Sequence, residues 1–367
     1  MRIWIVKFVD KLLGRFLARV LPLSPKHEVL DDIRRVLIVR PGGIGDALLL
    51  IPTIDLLVKK LPGLRVEVLA EKRNSQAFQL CKNVTRVWCY DRVRDFWSLT
   101  TRSYDVIIDT EQWYRLSAVF ARGMTAPIRI GFATNERRRL FNCPVDYKTD
   151  AYEPWNFFRL LGPLGICTED PLPEIFLTVP DQIMTKVAAT SSLPRKSYVV
   201  IFPGASVVEK RWGANRFRML AERIVAEGFS VVVVGGKEDI ETGERIVDGG
   251  LGLTLAGKIS LIESAAVVNS SRLLVAGDSG VLHMGFGLGK PTVSIFGPSS
   301  TDKWAPSGQK HIVINHKLPC SPCARFGITP PCPIGAKCIQ DISVDEVFTG
   351  VKKVLKTKTG AADPDAF

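Results

Sequence analysis

The chain has 367 residues, 46% of them hydrophobic and 23% charged, with a formal net charge of +12. That is room for two domains of ordinary globular composition, and the charge selects anionic partners. No apolar run reaches the roughly 18 residues of a spanning helix, and no nucleic-acid module or basic stripe interleaved with aromatics is present, so membrane-spanning and nucleic-acid-binding classes are disfavoured.

The first 21 residues predict a helix. Trp4, Ile5, Phe8, Val9, Leu12, Leu13, Phe16, Leu17, Val20 and Leu21 recur at helical spacing, and Lys7, Lys11, Arg15 and Arg19 stand four apart on another face. Charges interrupt the apolar residues too often for a signal peptide. The pattern reads as an interfacial helix on an anionic membrane surface, the alternative being a helix packed on the protein itself. A linker follows over 22–34.

Strand candidates then alternate with helix candidates, strands at 36–40, 65–69, 86–90, 105–109 and 128–132, helices at 46–60, 73–82, 112–124 and 153–162. Pro52 should kink the first helix. A Pro-rich stretch over 168–196, with a short helix near 181–192, marks the domain boundary. The pattern restarts with strands at 198–203, 230–235, 253–256, 273–276 and 291–296 and helices near 214–227, 239–248, 260–269 and 280–288, and ends in an amphipathic helix over 343–356. This alternation predicts an α/β protein with two parallel sheets covered on both faces. The expected divisions are 1–30 (helix and linker), 31–180 (acceptor-binding domain), 181–345 (nucleotide-sugar-binding domain, including a cysteine loop at 320–338) and 346–367 (end of the last helix and a tail).

Two glycine-bearing corners carry the functional signal. In Arg40-Pro-Gly-Gly-Ile-Gly-Asp46, an apolar strand turns into a helix start, where free N–H groups and the dipole favour anions. Asp46 reads either as the helix N-cap or as a general base. Leu273-Leu-Val-Ala-Gly-Asp-Ser-Gly-Val-Leu-His283 has the same form, with Asp278 as an expected cap and the amides of Ser279 and Gly280 facing an anion. His283, a turn further on, reads equally as a packed histidine or as part of the site. Between the corners, Ser206 and Lys210 lie in a loop after a strand and suit phosphate oxygens. Glu238 and Asp239 compete for a ribose. Gly257 offers backbone to a base. Arg115, Arg122, Arg129 and Arg137-Arg-Arg139 form a basic surface suited to an acidic acceptor; Arg40, Arg115 and Arg137 are the expected acceptor ligands.

Of eight cysteines, Cys81, Cys89, Cys143 and Cys167 are scattered. Cys320-x2-Cys323-x8-Cys332-x5-Cys338 could hold a structural zinc, close two disulfides or stay reduced; without an export signal a reducing compartment is expected.

Taken in order, Arg40–Asp46, Pro203-Gly-Ala-Ser206, Lys210-Arg-Trp212, Gly235-Gly-Lys-Glu238, Leu255-Ala-Gly257, Asp278–His283 with Gly289-Lys-Pro291, and Phe296-Gly-Pro298 resemble the bacterial heptosyltransferases of glycosyltransferase family 9, over residues 34–350. The resemblance implies a GT-B fold, two Rossmann-like domains with parallel sheets facing a central cleft. It implies metal-independent, inverting transfer of heptose from ADP-heptose to an acidic, lipid-linked acceptor of the lipopolysaccharide inner core, at the cytoplasmic face of the inner membrane. It also implies Asp46 as base, Lys210 and Ser206 as diphosphate ligands, Glu238 as ribose ligand, and Asp278, Ser279 and Gly280 as the donor's phosphate and sugar corner. The alternatives are the same fold using another nucleotide sugar for a different surface glycan, or a non-catalytic, membrane-docked nucleotide-binding protein.

Overall fold

A computed structural model describes residues 9–25, 32–190, 193–194 and 197–356. The chain forms two compact units, Met1–Pro173 and Glu174–Phe367. The expected boundary at 180 lies later because Phe176 and Leu177 both donate their N–H groups to the Gly287 carbonyl and, with Val179, are buried in the second unit.

The first unit holds β1 (Arg35–Arg40), β2 (Arg65–Ala70), β3 (Val84–Cys89), β4 (Val106–Asp109), β5 (Ile128–Phe132) and β6 (Cys143–Val145) in the order β3-β2-β1-β4-β5-β6. Every pairing is parallel. The second unit repeats the plan with β7 (Tyr198–Phe202), β8 (Ser230–Val233), β9 (Gly252–Thr254), β10 (Leu273–Gly277), β11 (Thr292–Ile295) and β12 (His311–Ile314), again all parallel, in the order β12-β11-β10-β7-β8-β9. Both are the doubly wound arrangement of a Rossmann fold, in which ligands bind beyond the strands' carboxyl ends where the strand order reverses. Those points lie between β1 and β4 in one unit and between β7 and β10 in the other. The central strands are continuous apolar runs because helices cover both faces: Val36 to Val39 and Val199 to Ile201 are all buried.

The edge strands β6 and β12 were not expected. Pro144 cannot donate to a ladder and is tolerated only at an edge, which is where β6 lies. At Pro52 the expected kink becomes a division into helices Ile44–Leu49 and Ile51–Lys60, with Pro52 in the first turn of the second, where its missing N–H costs least. The expected C-terminal helix is present as Val344–Lys356 and belongs to the second unit's core. Val347, Val351 and Val354 are buried with Val293 and Ile295 of β11.

The described part of the N-terminal helix, a π turn at Asp10–Gly14 followed by Arg15–Val20, is anchored to the first unit by its small and acidic residues. Asp10, Gly14 and Ala18 are buried, one turn apart. Asp10 Oδ1 accepts the N–H groups of Arg115 (2.6 Å) and Leu116 (2.7 Å), capping helix Leu116–Gly123, whose own cap residue Arg115 has no acceptor to offer. Glu136 receives Arg15 (3.0 Å), Arg19 (3.0 Å) and Arg115 (2.8 Å). Burial opposes ionisation of Glu136, but its backbone amide and these guanidinium groups outweigh it and lower the carboxyl to about 2. The depressed value means that the Glu136 part of the anchor is intact above the usual carboxylate range and is lost as pH falls through about 2, whereas burial raises the Asp10 carboxyl, so Asp10 takes up its proton at higher pH. Asp10→Ala leaves two helix N–H groups without an acceptor, at a cost of about 1–2 kcal/mol. Limited proteolysis should then cut within 9–25 in the variant before it cuts the wild type.

Candidate active site

In the first unit the site grows from the turn after β1. Gly42 has φ +103°, a left-handed value that a side chain would resist. The turn is braced from β2's end: Gly42 N–H donates to Glu71 Oε1 (3.1 Å), and Asn74 Nδ2 donates to the Arg40 carbonyl (3.1 Å). Gly43, not Asp46, is the N-cap of helix Ile44–Leu49. A Cβ on Gly43 would stand 2.8 Å from Asp46 Oδ2, so the missing methyl is the space the carboxylate occupies. Asp46 is therefore a half-buried, first-turn acid at the strand-order reversal, and the cap reading falls.

Gln112, from the loop after β4, donates Nε2 to Asp46 Oδ1 (3.3 Å) and to Glu153 Oε1 (2.7 Å). Glu153 is fully buried and also accepts Tyr147 Oη–H at 2.8 Å. Gln112, Glu153 and Tyr147 were not singled out from the sequence. The available signal was that Thr110-Glu-Gln112 follows an apolar strand at the same reversal point.

The expected acceptor arginines need correction. Arg40 is 1% exposed and Arg137 is fully buried. Arg40 donates Nη1 to the Thr110 carbonyl (2.8 Å) and Nε to the Pro41 carbonyl (2.7 Å), and pairs with Glu111 at 3.4 Å. Arg137 pairs with Asp109 at 2.9 Å and donates to the Glu111 carbonyl. Glu111 Oε1 in turn accepts the N–H groups of Gln112 (3.0 Å) and Trp113 (2.9 Å). Burial raises the Glu111 carboxyl above its usual range although both arginines pull it down. These two arginines thus fix the loop that carries Gln112 and have no donors turned to solvent for a ligand. Arg115 is committed to Glu136 and Asp10.

The second unit's site lies between β7 and β10. Lys210 Nζ bonds Asp278 Oδ2 at 2.6 Å, bridging the loops after the two strands. Burial would raise the Asp278 carboxyl, but the Lys210 charge and hydrogen bond outweigh it and its pKa lies below the usual value. Asp278 is therefore an ion-pair partner and not the expected cap. Ser279 caps helix Gly280–Gly287, its Oγ accepting the Leu282 N–H at 3.3 Å. Ser206 is exposed. Asp239 is buried and accepts the Gly236 N–H at 3.0 Å, whereas Glu238 is exposed in the turn that follows β8, so of the two carboxylates Glu238 is the one open to solvent. Gly257 has φ +68° and donates its N–H to the Gly235 carbonyl, which ties the loop after β9 to the loop after β8. His283 is 3% exposed, with its ring 6.3 Å from Trp304.

Cys320, Cys323, Cys332 and Cys338 all line one small pocket, and no disulfide joins them. Among the described residues, no three His, Cys, Asp or Glu side chains gather where one ion could join them, so this arrangement does not favour zinc among the three readings of the cysteine loop. Burial, then the neighbouring thiols, pushes Cys338 up to about 11, and burial with Asp55 pushes Cys81 up to about 12. Exposed Cys320 and Cys167 should consume a thiol reagent first at neutral pH, with Cys81 and Cys338 silent until the protein unfolds. Mass mapping of the labelled sites checks this order.

Residues 92–329 match the profile of glycosyltransferase family 9 (heptosyltransferase). The chain is 24% identical over 316 residues to lipopolysaccharide heptosyltransferase 1 of Pseudomonas aeruginosa, covering 79% of this chain and 86% of that one. Its fold matches the solved Escherichia coli ADP-heptose lipopolysaccharide heptosyltransferase II with a TM-score of 0.73 at 22% identity, over 88% of this chain and 98% of that chain. It also matches the Escherichia coli heptosyltransferase WaaC solved with ADP-2-deoxy-2-fluoro heptose, with a TM-score of 0.67 at 19% identity over 87% and 99%.

Proposed function

The chain belongs to glycosyltransferase family 9, the heptosyltransferases, and we propose that it moves heptose from ADP-heptose, with inversion, onto an acidic, lipid-linked acceptor of the lipopolysaccharide inner core. The observation that carries this reading is Asp46, held at the β1/β4 reversal through Oδ1 by Gln112. Oδ2 is then the oxygen for the acceptor hydroxyl. As the acceptor hydroxyl oxygen attacks the anomeric carbon, its proton passes to Asp46 and the bond from that carbon to the diphosphate oxygen breaks. ADP leaves with the electron pair. Lys210, the Ser206 hydroxyl and the amides of Ser279 and Gly280 meet the charge that develops on it. Glu238 accepts the ribose hydroxyls, and Gly257 lies against the base. No metal ion enters this scheme.

The acceptor is lipid-linked, and we place the enzyme in the cytoplasm, peripheral on the inner membrane through residues 1–21. Residues 1–8 lie outside the described part. Among the described residues no helix is long and apolar enough to cross a membrane. The surface helix Asp10–Val20 supports docking from one side, since it turns Leu12, Phe16 and Val20 outward.

Thermal stabilisation by ADP, UDP, GDP and CMP, followed by transfer from ADP-heptose, tests the reading. A nucleotide at about 100 times its Kd adds roughly 2.7 kcal/mol. Selective response to ADP is expected. Preference for UDP would keep the fold and replace the donor, and nucleotide binding without transfer from any sugar donor would make the chain a non-catalytic binding protein.

A further inference from the structure

We propose that the bilayer contact is made by two helices, with Val93 and Trp97 of helix Val93–Thr100 forming a second insertion point beside the N-terminal helix. The proposal rests on the reading that the N-terminal helix docks on a membrane, and it extends that reading to residues far away in sequence.

The argument starts from which sides of these helices face inward. Ala18 of the N-terminal helix, Leu99 of helix Val93–Thr100, and Ala118 and Ala121 of helix Leu116–Gly123 belong to one buried cluster with Leu37, Val39 and Ile107 of the sheet. All three helices therefore cover the same face of the first unit's sheet. Phe96 packs on Phe120 with ring centroids 5.5 Å apart, which sets helix Val93–Thr100 beside helix Leu116–Gly123, the element that Asp10 caps. Each helix leaves the side turned away from that cluster to solvent. On one helix that side carries Phe16 and Val20, 60% and 62% exposed; on the other it carries Val93 and Trp97, 73% and 66% exposed.

Large apolar side chains this exposed are usually scattered singly; here they line the outer sides of helices on one sheet face. The charge around them selects the occupant. Lys11, Arg92, Arg94 and Arg138 are exposed. Of the acids nearby, Asp95 is half-buried and accepts the Cys89 N–H (3.0 Å), and Asp91, though exposed, accepts the Lys72 N–H (3.1 Å), so the basic side chains outnumber the open acids. Aliphatic groups, one indole and a basic rim match an anionic lipid–water interface, where Trp is favoured and each basic residue adds attraction.

The test is sedimentation with phosphatidylcholine vesicles containing about 30 mol% phosphatidylglycerol, an anionic surface of the kind basic segments recognise. Wild type is compared with Val93→Ser/Trp97→Ser, with Leu12→Ser/Phe16→Ser and with Trp97→Phe. The altered positions are exposed, and an unchanged thermal midpoint verifies folding. The Val93/Trp97 pair is expected to lose about tenfold or more in partition, Trp97→Phe to retain most of it, and transfer to a soluble, deacylated acceptor to stay at the wild-type rate. Wild-type binding that depends on Leu12 and Phe16 but not on Val93 and Trp97 overturns this proposal and leaves N-terminal docking standing. Absence of wild-type binding removes both. A shift from dimer to monomer in Val93→Ser/Trp97→Ser would make the face an interface between copies and also overturn it.

Discussion

Asp46→Asn should lower kcat for heptose transfer by about a thousandfold and leave ADP binding unchanged. Positioned general bases contribute roughly 10²–10⁴ in rate, and Asn keeps the shape and the contact with Gln112 while losing the basic oxygen. Asp46 belongs to the first unit and the proposed nucleotide ligands to the second, so binding and chemistry should separate cleanly. Gln112→Ala should cost less, about tenfold in kcat, because it frees the carboxylate to rotate without removing it. The two effects should not add. Once Asp46 is Asn, deleting the Gln112 amide has no base left to misplace. Initial rates with ADP-heptose and calorimetric titration with ADP give both quantities. Asp46→Asn activity within tenfold of wild type would place the base elsewhere and leave Gln112 as a loop brace.

How far the sequence revealed this site follows from the range of each interaction. The turn at Arg40–Asp46 was legible because glycine, strand run and helix start are local signals. So was Lys210, in a loop after an apolar strand. What escaped depends on strand order. Gln112 reaches Asp46 only because β4 lies beside β1, and Glu153 arrives from a helix still further along the chain. The arginines misled for the same reason. Arg40 and Arg137 look alike in sequence to solvent-facing cations, yet both are drawn inward by Asp109 and Glu111, whose burial only the fold reveals. Asp278 looked like a cap because Asp commonly is one; its neighbour Ser279 took that role and left Asp278 to Lys210. Ten strands and most helices were recognisable from apolar runs. Edge strands β6 and β12 are only three and four residues long, and β6 contains Pro144, so their pairing with the sheet has to hold what propensity does not.

The Lys210–Asp278 pair yields a second large effect with an unusual sign. An ammonium 2.6 Å from a carboxylate has little net charge to offer a diphosphate, so Asp278 should weaken ADP binding even as it orients Lys210. Asp278→Asn removes that opposing charge and should tighten ADP by about tenfold, or about 1.4 kcal/mol. Lys210→Met should act in the opposite direction. It removes the cation proposed to meet the departing diphosphate, lowering kcat by about a hundredfold, and it strands a mostly buried carboxylate. The two side chains are 17% and 11% exposed, so the stability loss should stay near 1–3 kcal/mol, below the figure for a fully buried pair. Because the Asp278 pKa is depressed, that contribution is complete above about pH 4, the usual carboxylate range, and vanishes as pH falls through the lower folded value. On the proposed reading, a transferase that releases ADP each cycle gains from this arrangement. If product release limits turnover, Asp278→Asn will bind ADP more tightly and still turn over more slowly, with slower ADP dissociation visible by stopped flow. Weaker ADP binding in Asp278→Asn would mean that the aspartate serves the donor directly, and the pair would then have to be read as a sugar ligand and its brace.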